Sequence, residues 1–442
     1  MDRNLVGKRP TFSRKGPKPN FLRVLILLIL ISGGVWVITQ IGVEPEKQVK
    51  PLFLPTPTAT RTADSYILAA EAYFDAGKID DPEKTDAIDA YRQALALEPD
   101  NARAHAELAR LLTYSSSLLS SHEEQVIRLE EAEIESSTAV ALAPDDSTVR
   151  AIHAFVLDWR ASLATTTEER IAWLTEAEQM ASQAYLNDPD NALALAFYAE
   201  VLLDKGEWPQ AQQHAHQAVE LAPELMDTHR VYATVLETFG QYRVAIEEYE
   251  KAAAINPNLT FLYIRIGVIY RELKVYDQAL DYFEKAVRIN ESNGVQDPIP
   301  YIAIAKTYSR MGQYFVAAIN GEKALRFDPT DANTYGQLGD IYIRSRNYEA
   351  AIPVLKCAVS GCTAEENEVG EVAVEGLSLS NVEVAFYYAR YGSVLAALSR
   401  PEVNYCPEAL EVLGEVRDAF PDNALLLGIV NENEEICALV GE

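Results

Sequence analysis

The hydrophobic pattern between residues 87 and 358 repeats one motif eight times. Take Pro99, Pro144, Pro189, Pro223, Pro257, Glu291, Pro329 and Thr363 as markers. Twelve residues before each stands an alanine (Ala87, Ala132, Ala177, Ala211, Ala245, Ala279, Ala317 and Ala351). Five before each stands another (Ala94, Ala139, Ala184, Ala218, Ala252, Ala286, Ala324 and Ala358). Side chains seven apart are two helical turns apart on one face, so each pair offers a neighbouring helix a close approach. Five units carry more. Twenty-four before the marker is a small residue (Ala199, Ala233, Gly267, Ala305, Gly339), and twenty-one before it a large one (Leu202, Leu236, Tyr270, Tyr308, Tyr342). Fifteen before it is an aromatic (Trp208, Tyr242, Tyr276, Tyr314, Tyr348). Gly206, Gly240 and Gly312 fall between the two apolar stretches, where a left-handed helix C-cap is expected. The pattern predicts paired helices, with small residues at the crossings and rings filling the space between pairs.

The markers at 189, 223, 257 and 291 are 34 residues apart. With that period, the stretches 207–223, 241–257 and 275–291 resemble the tetratricopeptide repeat family closely. The resemblance covers residues 64–421 and implies an all-α, right-handed superhelical solenoid of about nine helix-turn-helix hairpins. It also implies that first helices line a concave side where partner segments lie. Markers 99, 144 and 189 are 45 apart, so longer helices or bulged loops are expected near Ser115–Ser121 and Thr165–Thr167. A break at 293–300 and an acidic insertion at 363–380 interrupt the array, and a loop of the latter length is functional or mobile. Residues 422–442 read as a capping helix, with the polar run Asn431–Glu435 facing solvent.

The head of the chain differs. Residues 1–23 form a basic tail, and residues 24–43 are about twenty uncharged positions, the length of a transmembrane helix. The run exceeds a signal-peptide core and lacks a small-x-small cleavage site, so it reads as a signal anchor. Basic residues precede it, which places the N-terminus in the cytoplasm and the solenoid outside, at the cell membrane. Residues 44–63 read as a Pro/Thr-rich linker.

Charge then narrows the partners. Beyond residue 62 the chain carries 28 Lys/Arg against 63 Asp/Glu, which disfavours nucleic acid. Four cysteines allow three pairings, the most local being Cys357–Cys362 with Cys406–Cys437; buried free thiols are the alternative. No catalytic, phosphate-binding or metal motif occurs, so no enzyme activity, cofactor, metal or small-molecule substrate is expected. The six histidines read as packing or surface residues, and adjacent acids such as Glu247 and Glu248 as solvated.

What remains is a binding surface. The concave face carries Glu200, Asp204, Asp227 and Glu237 in earlier units, and Arg265, Arg271, Lys306, Arg310 and Arg344 in later ones. Guanidinium groups match carboxylates bidentately, so this basic stripe suits an acidic or C-terminal peptide. Glu272 and Asp340 share the face and leave an ordinary mixed-charge surface as the alternative. Phe261, Ile264, Ile299 and Ile302 on the same face suit an amphipathic or extended peptide, unless neighbouring hairpins or the insertion cover them. The Lys/Asn pairs of a chaperone-tail clamp are missing: the matching positions hold Arg230 with Thr234, Ile264 with Val268, and Phe261 with Arg265. The expected protein is a membrane-anchored, non-catalytic interaction scaffold with its partner on the concave face; an envelope assembly or secretion factor holding clients is the other reading.

Overall fold

In the computed structural model the described residues are 20–43, 61–80, 85–119, 122–164 and 166–440. The chain divides into two units, 1–61 and 62–442. Among the described residues of the first there is one helix, α1 (Phe21–Val43). Among the described residues no helix is long and apolar enough to cross a membrane. This corrects the expected transmembrane signal anchor at 24–43, and with it the single-pass placement and the orientation of tail and solenoid. The basic tail up to residue 19 and the linker from 44 to 60 lie outside the described residues.

Among its described residues the second unit carries helices in nine consecutive pairs. They are α2 (Ala63–Asp75) with α3 (Ala87–Leu97), α4 (Ala102–Ser116) with α5 (His122–Leu142), and α6 (Ser147–Ser162) with α7 (Thr167–Asn187). Then come α8 (Ala192–Asp204) with α9 (Trp208–Leu221), α10 (Met226–Thr238) with α11 (Tyr242–Ile255), and α12 (Thr260–Glu272) with α13 (Tyr276–Asn293). The last pairs are α14 (Ile299–Arg310) with α15 (Tyr314–Phe327), α16 (Ala332–Arg344) with α17 (Tyr348–Val359), and α18 (Val382–Leu398) with α19 (Cys406–Ala419); α20 (Ala424–Val440) closes the end. The long early repeats are explained by long second helices, since α5 and α7 run 21 residues where α9 and α11 run 14.

All sixteen marker alanines are buried, none more than 1% exposed. At the crossing position Ala199 and Ala233 are fully buried, and the two glycines show why size matters there. A Cβ on Gly267 would lie 2.5 Å from the Phe283 ring, and one on Gly339 2.4 Å from Leu355 Cγ. The recurring aromatics sit at the edge of the gap between hairpins, where Trp208 meets Phe239 of the next pair at 6.5 Å. Each is the first residue of a second helix, and Trp208, Tyr242 and Tyr348 remain at least a third exposed. The tight turns before them are left-handed at Gly206, Gly240 and Gly312, and Lys274 and Arg346 adopt the same positive φ at the equivalent places. First helices begin three residues after a marker proline, and the residue before each of four of them, Asn101, Asp146, Asn191 or Asp331, caps it through the side chain.

A second recurring bond holds the pairs in register. Six residues after the marker, a polar side chain reaches back to the marker proline's carbonyl. His105 and His229 do so at 2.9 Å, Tyr263 at 2.9 Å and Tyr335 at 3.0 Å, with Arg150 making the same contact. The insertion at 363–380 is folded onto the eighth pair. Asn367 is buried and donates to the Tyr335 hydroxyl at 2.7 Å, and Cys362 and Val374 exchange backbone hydrogen bonds. Disulfides join Cys357 to Cys362 and Cys406 to Cys437, the second tying α19 to α20. Within the polar run of α20, Asn433 turns inward and donates to Ser393 Oγ at 2.8 Å.

Crossing geometry gives a direct test. Gly267→Ala removes backbone freedom worth about 1 kcal/mol in a helix, but it drives a methyl into a rigid ring. We expect a net loss of roughly 1–3 kcal/mol in denaturant unfolding. A gain in stability would contradict the close approach of α12 and α13.

Candidate functional site

The concave side is not uniform, and the difference comes from packing. Successive first helices α4, α6, α8 and α10 lie against one another, whereas α14 and α16 are not closely packed. Along the tight stretch the array also touches itself across several hairpins. Tyr114 of α4 donates its hydroxyl to Asp227 of α10, and Arg110 Nη1 donates to the same carboxylate at 2.9 Å. The Tyr114 ring stacks on Phe261 of α12 at 5.5 Å and on Phe74 of α2 at 6.5 Å. The Arg230 guanidinium sits between Tyr114 and Phe155, 5.5 and 5.4 Å from the ring centroids, and makes a bidentate pair with Glu200 at 2.7 and 2.8 Å. Beside this plug, Asn256 donates to Asp75 at 2.9 Å, and Asn258 to the Asp75 carbonyl at 3.1 Å. Asn293 reaches the Ala76 carbonyl at 3.4 Å. The first hairpin is therefore sealed against the fifth and sixth.

This closure uses residues that the sequence offers as a binding face. Phe261 is partly buried within the plug, Ile264 packs on the core, and Asp227 and Glu200 are buried partners of cations. Arg265 lies outside any shared basic cluster, paired with Glu237 at 2.8 Å. Glu248 corrects the expectation of solvated adjacent acids. It is buried, bonded to His229 Nδ1 at 2.6 Å and to Lys251 at 2.7 Å, and these hydrogen bonds hold its carboxyl below the usual value against the opposing effect of burial. His153 is held at about 4 by burial first and Arg150 second, so it is neutral where it meets Ser136 Oγ. Among the described residues no group of three or more side chains could hold a metal ion.

The plug stores one unsatisfied acid. Asp158 is buried, its Oδ1 has no hydrogen-bond partner, and burial, then Asp204 and Glu200, push its carboxyl well above 3.8. Folding thus takes up a proton at pH values above the ordinary carboxylate range, and stability falls as pH rises through that window. Asp158→Asn mimics the protonated form. It should raise the urea midpoint at pH 8 and leave it nearly unchanged at pH 4; an equal gain at both values would contradict this.

Where α14 and α16 separate, the surface opens. A pocket of about 440 Å³ is bounded by Arg271 of α12, Lys306, Ser309 and Arg310 of α14, Gln337, Asp340 and Arg344 of α16, and Glu383, Phe386 and Arg390 of α18. Four of the basic residues on the sequence-derived stripe, Arg271, Lys306, Arg310 and Arg344, meet here, and Arg390, which the stripe omitted, joins them. Arg390 follows the insertion, so the regular marker spacing does not reach it. Three cations are already paired. Arg310 meets Glu272 at 2.9 Å, while Asp340 is shared by Arg344 at 2.8 Å and Arg390 at 2.6 Å. Arg271 is different: it is 8% exposed, its Nε and Nη1 are buried with no hydrogen-bond partner, and the nearest carboxylate, Glu272, stands 3.8 Å away. Burial, and then Arg310, depress its pKa. Lys306 reaches solvent but is also depressed, by partial desolvation first and Arg271 second.

Comparison with known proteins identifies the repeat. Tetratricopeptide repeat models match residues 262–293, within the α12/α13 pair, and 321–352, across α16. The chain carries tetratricopeptide repeats. Among curated proteins none matches the sequence. A solved tetratricopeptide repeat protein from Parabacteroides merdae is 15% identical, with 63% of this chain and 99% of that one covered and a TM-score of 0.41. MamA from Desulfovibrio magneticus is 19% identical over 38% of this chain and 92% of its own, with a TM-score of 0.33. YrrB, described as a TPR protein with an unusual peptide-binding site, is 17% identical over 48% of this chain and 97% of its own, with a TM-score of 0.32. Proteins built of this repeat generally mediate protein–protein contacts, and the fold is typically a non-catalytic scaffold.

Proposed function

We propose that this protein is a non-catalytic interaction scaffold that receives an acidic stretch of a partner protein or peptide in the pocket between α12, α14, α16 and α18. The observation that carries the reading is Arg271. A buried guanidinium with two donors unbonded is costly, and the Phe283 ring at 5.8 Å and Glu272 at 3.8 Å return only part of the lost hydration. A partner's acid group would remove that cost, and Lys306 beside it would add a second contact. The pairs made by Arg310, Arg344 and Arg390 leave their outer donors available to steer and orient the same partner. The sealed early hairpins serve as a stiff support, since their concave rings are occupied by one another. That occupancy disfavours the holding of long apolar clients, which would need those rings.

A labelled hexaglutamate peptide tests this by fluorescence anisotropy with the full chain. Binding should be saturable and weaken with added salt. It should fall at least about tenfold in Lys306→Glu and in Arg310→Glu, the size expected when a charge-assisted contact becomes a repulsion. Arg265→Glu, outside the pocket, should bind as the parent does. Equal losses in all three variants, or no saturable binding, would overturn the assignment.

A further inference from the structure

The charge balance of the pocket says more about the group that fills it. Five cations line it, against the lining carboxylates Asp340 and Glu383, with Glu272 on Arg310 as a third. About two positive charges are left over in the pocket as a whole: Glu272 is matched to Arg310, Arg344 and Arg390 share Asp340, and Glu383 stands against Arg271 and Lys306, neither of which has a hydrogen-bonded acid among the described residues. A single carboxylate brings one charge and two oxygens. A phosphate monoester brings close to two charges and three terminal oxygens. The donors that converge here match the larger group. Arg271 brings a guanidinium whose Nε and Nη1 make no hydrogen bond, Lys306 an ammonium with three N–H bonds, and Ser309 and Gln337 border the same space with neutral donors. Phe386 forms an apolar wall that lowers the competition from water.

We infer that the pocket holds a phosphate monoester, seated on Arg271 and Lys306. This rests on the reading of the pocket as the partner site and specifies the acid group it takes. The phosphate can be carried by a side chain of the partner or by a free small molecule, and the recognition chemistry is the same in both cases. Arg271 is then a binding residue kept at a cost in the empty protein. That has a consequence that a purely structural arginine would not share. Removing it should stabilise the empty chain, because the orphaned charge goes with it.

Calorimetry of the full chain, with inorganic phosphate as the probe and acetate at matched ionic strength as the control, tests the inference. Phosphate should bind at one site per chain and at least about tenfold more tightly than acetate, and its binding should raise the melting temperature. Lys306→Gln, at a solvent-reaching position, should weaken phosphate at least about tenfold with helicity unchanged. Arg271→Met should abolish the phosphate-dependent rise while melting higher than the parent in phosphate-free buffer. A phosphoserine peptide that binds more tightly than inorganic phosphate identifies a protein-borne group; equal affinity identifies a free one. Acetate binding as well as phosphate, or phosphate binding unaffected by Lys306→Gln, would overturn the inference. Should hexaglutamate still bind in a salt-sensitive way, the acidic-partner reading survives that failure; should neither bind, both fall.

Discussion

Everything in the solenoid follows from how closely two helices can lie. Alanine at two positions of eight second helices, and alanine or glycine at the crossing of five first helices, remove the bulk that would hold the axes apart. With the crossings fixed, each pair stacks on the next and the curvature is set by whatever lies between them. Nothing in that arrangement requires a globular core, and none is built. The core runs along the array as a ribbon of small and aliphatic side chains.

Curvature then divides the molecule in two. In the early hairpins the first helices lie against one another and α5 and α7 are long, and the array bends far enough for its first hairpin to meet its fifth and sixth. Aromatic rings and buried ion pairs fill the inside of that bend. In the later hairpins α14 and α16 are not closely packed, and a pocket opens on the inner faces there. One repeat chemistry thus yields a self-satisfied support and an open pocket. Which one a given stretch becomes depends on distant contacts such as Tyr114 with Asp227 and Phe261.

That dependence explains what the sequence could and could not disclose. Pairs of helices, their crossings and the left-handed turns repeat locally, so Ala87 predicts Ala351 and Gly206 predicts the positive φ of Lys274. The grouping of Arg271, Lys306, Arg310 and Arg344 was also legible, because residues on successive first helices share a face whatever the curvature. Phe261 was not, since its partner on α4 lies 147 positions away and nothing local announces it. Glu248 looked like one of many surface acids until His229 was placed over it, and Arg390 was hidden behind an insertion that breaks the count. The proline-carbonyl bond made by His105, His229, Tyr263 and Tyr335 was present in the spacing, six residues after the marker, but chemically different side chains disguised it.

The account turns on the early hairpins closing on themselves while the later ones stay open. Spin labels at the exposed positions Ala72 and Glu291, on the two sides of the seam made by Asp75, Ala76, Asn256 and Asn293, report on it directly through their separation in the full chain. A short distance with a single narrow distribution is the predicted result. A long or broad distribution would mean that the first turn is open in solution, and the contrast between sealed support and exposed pocket would be lost.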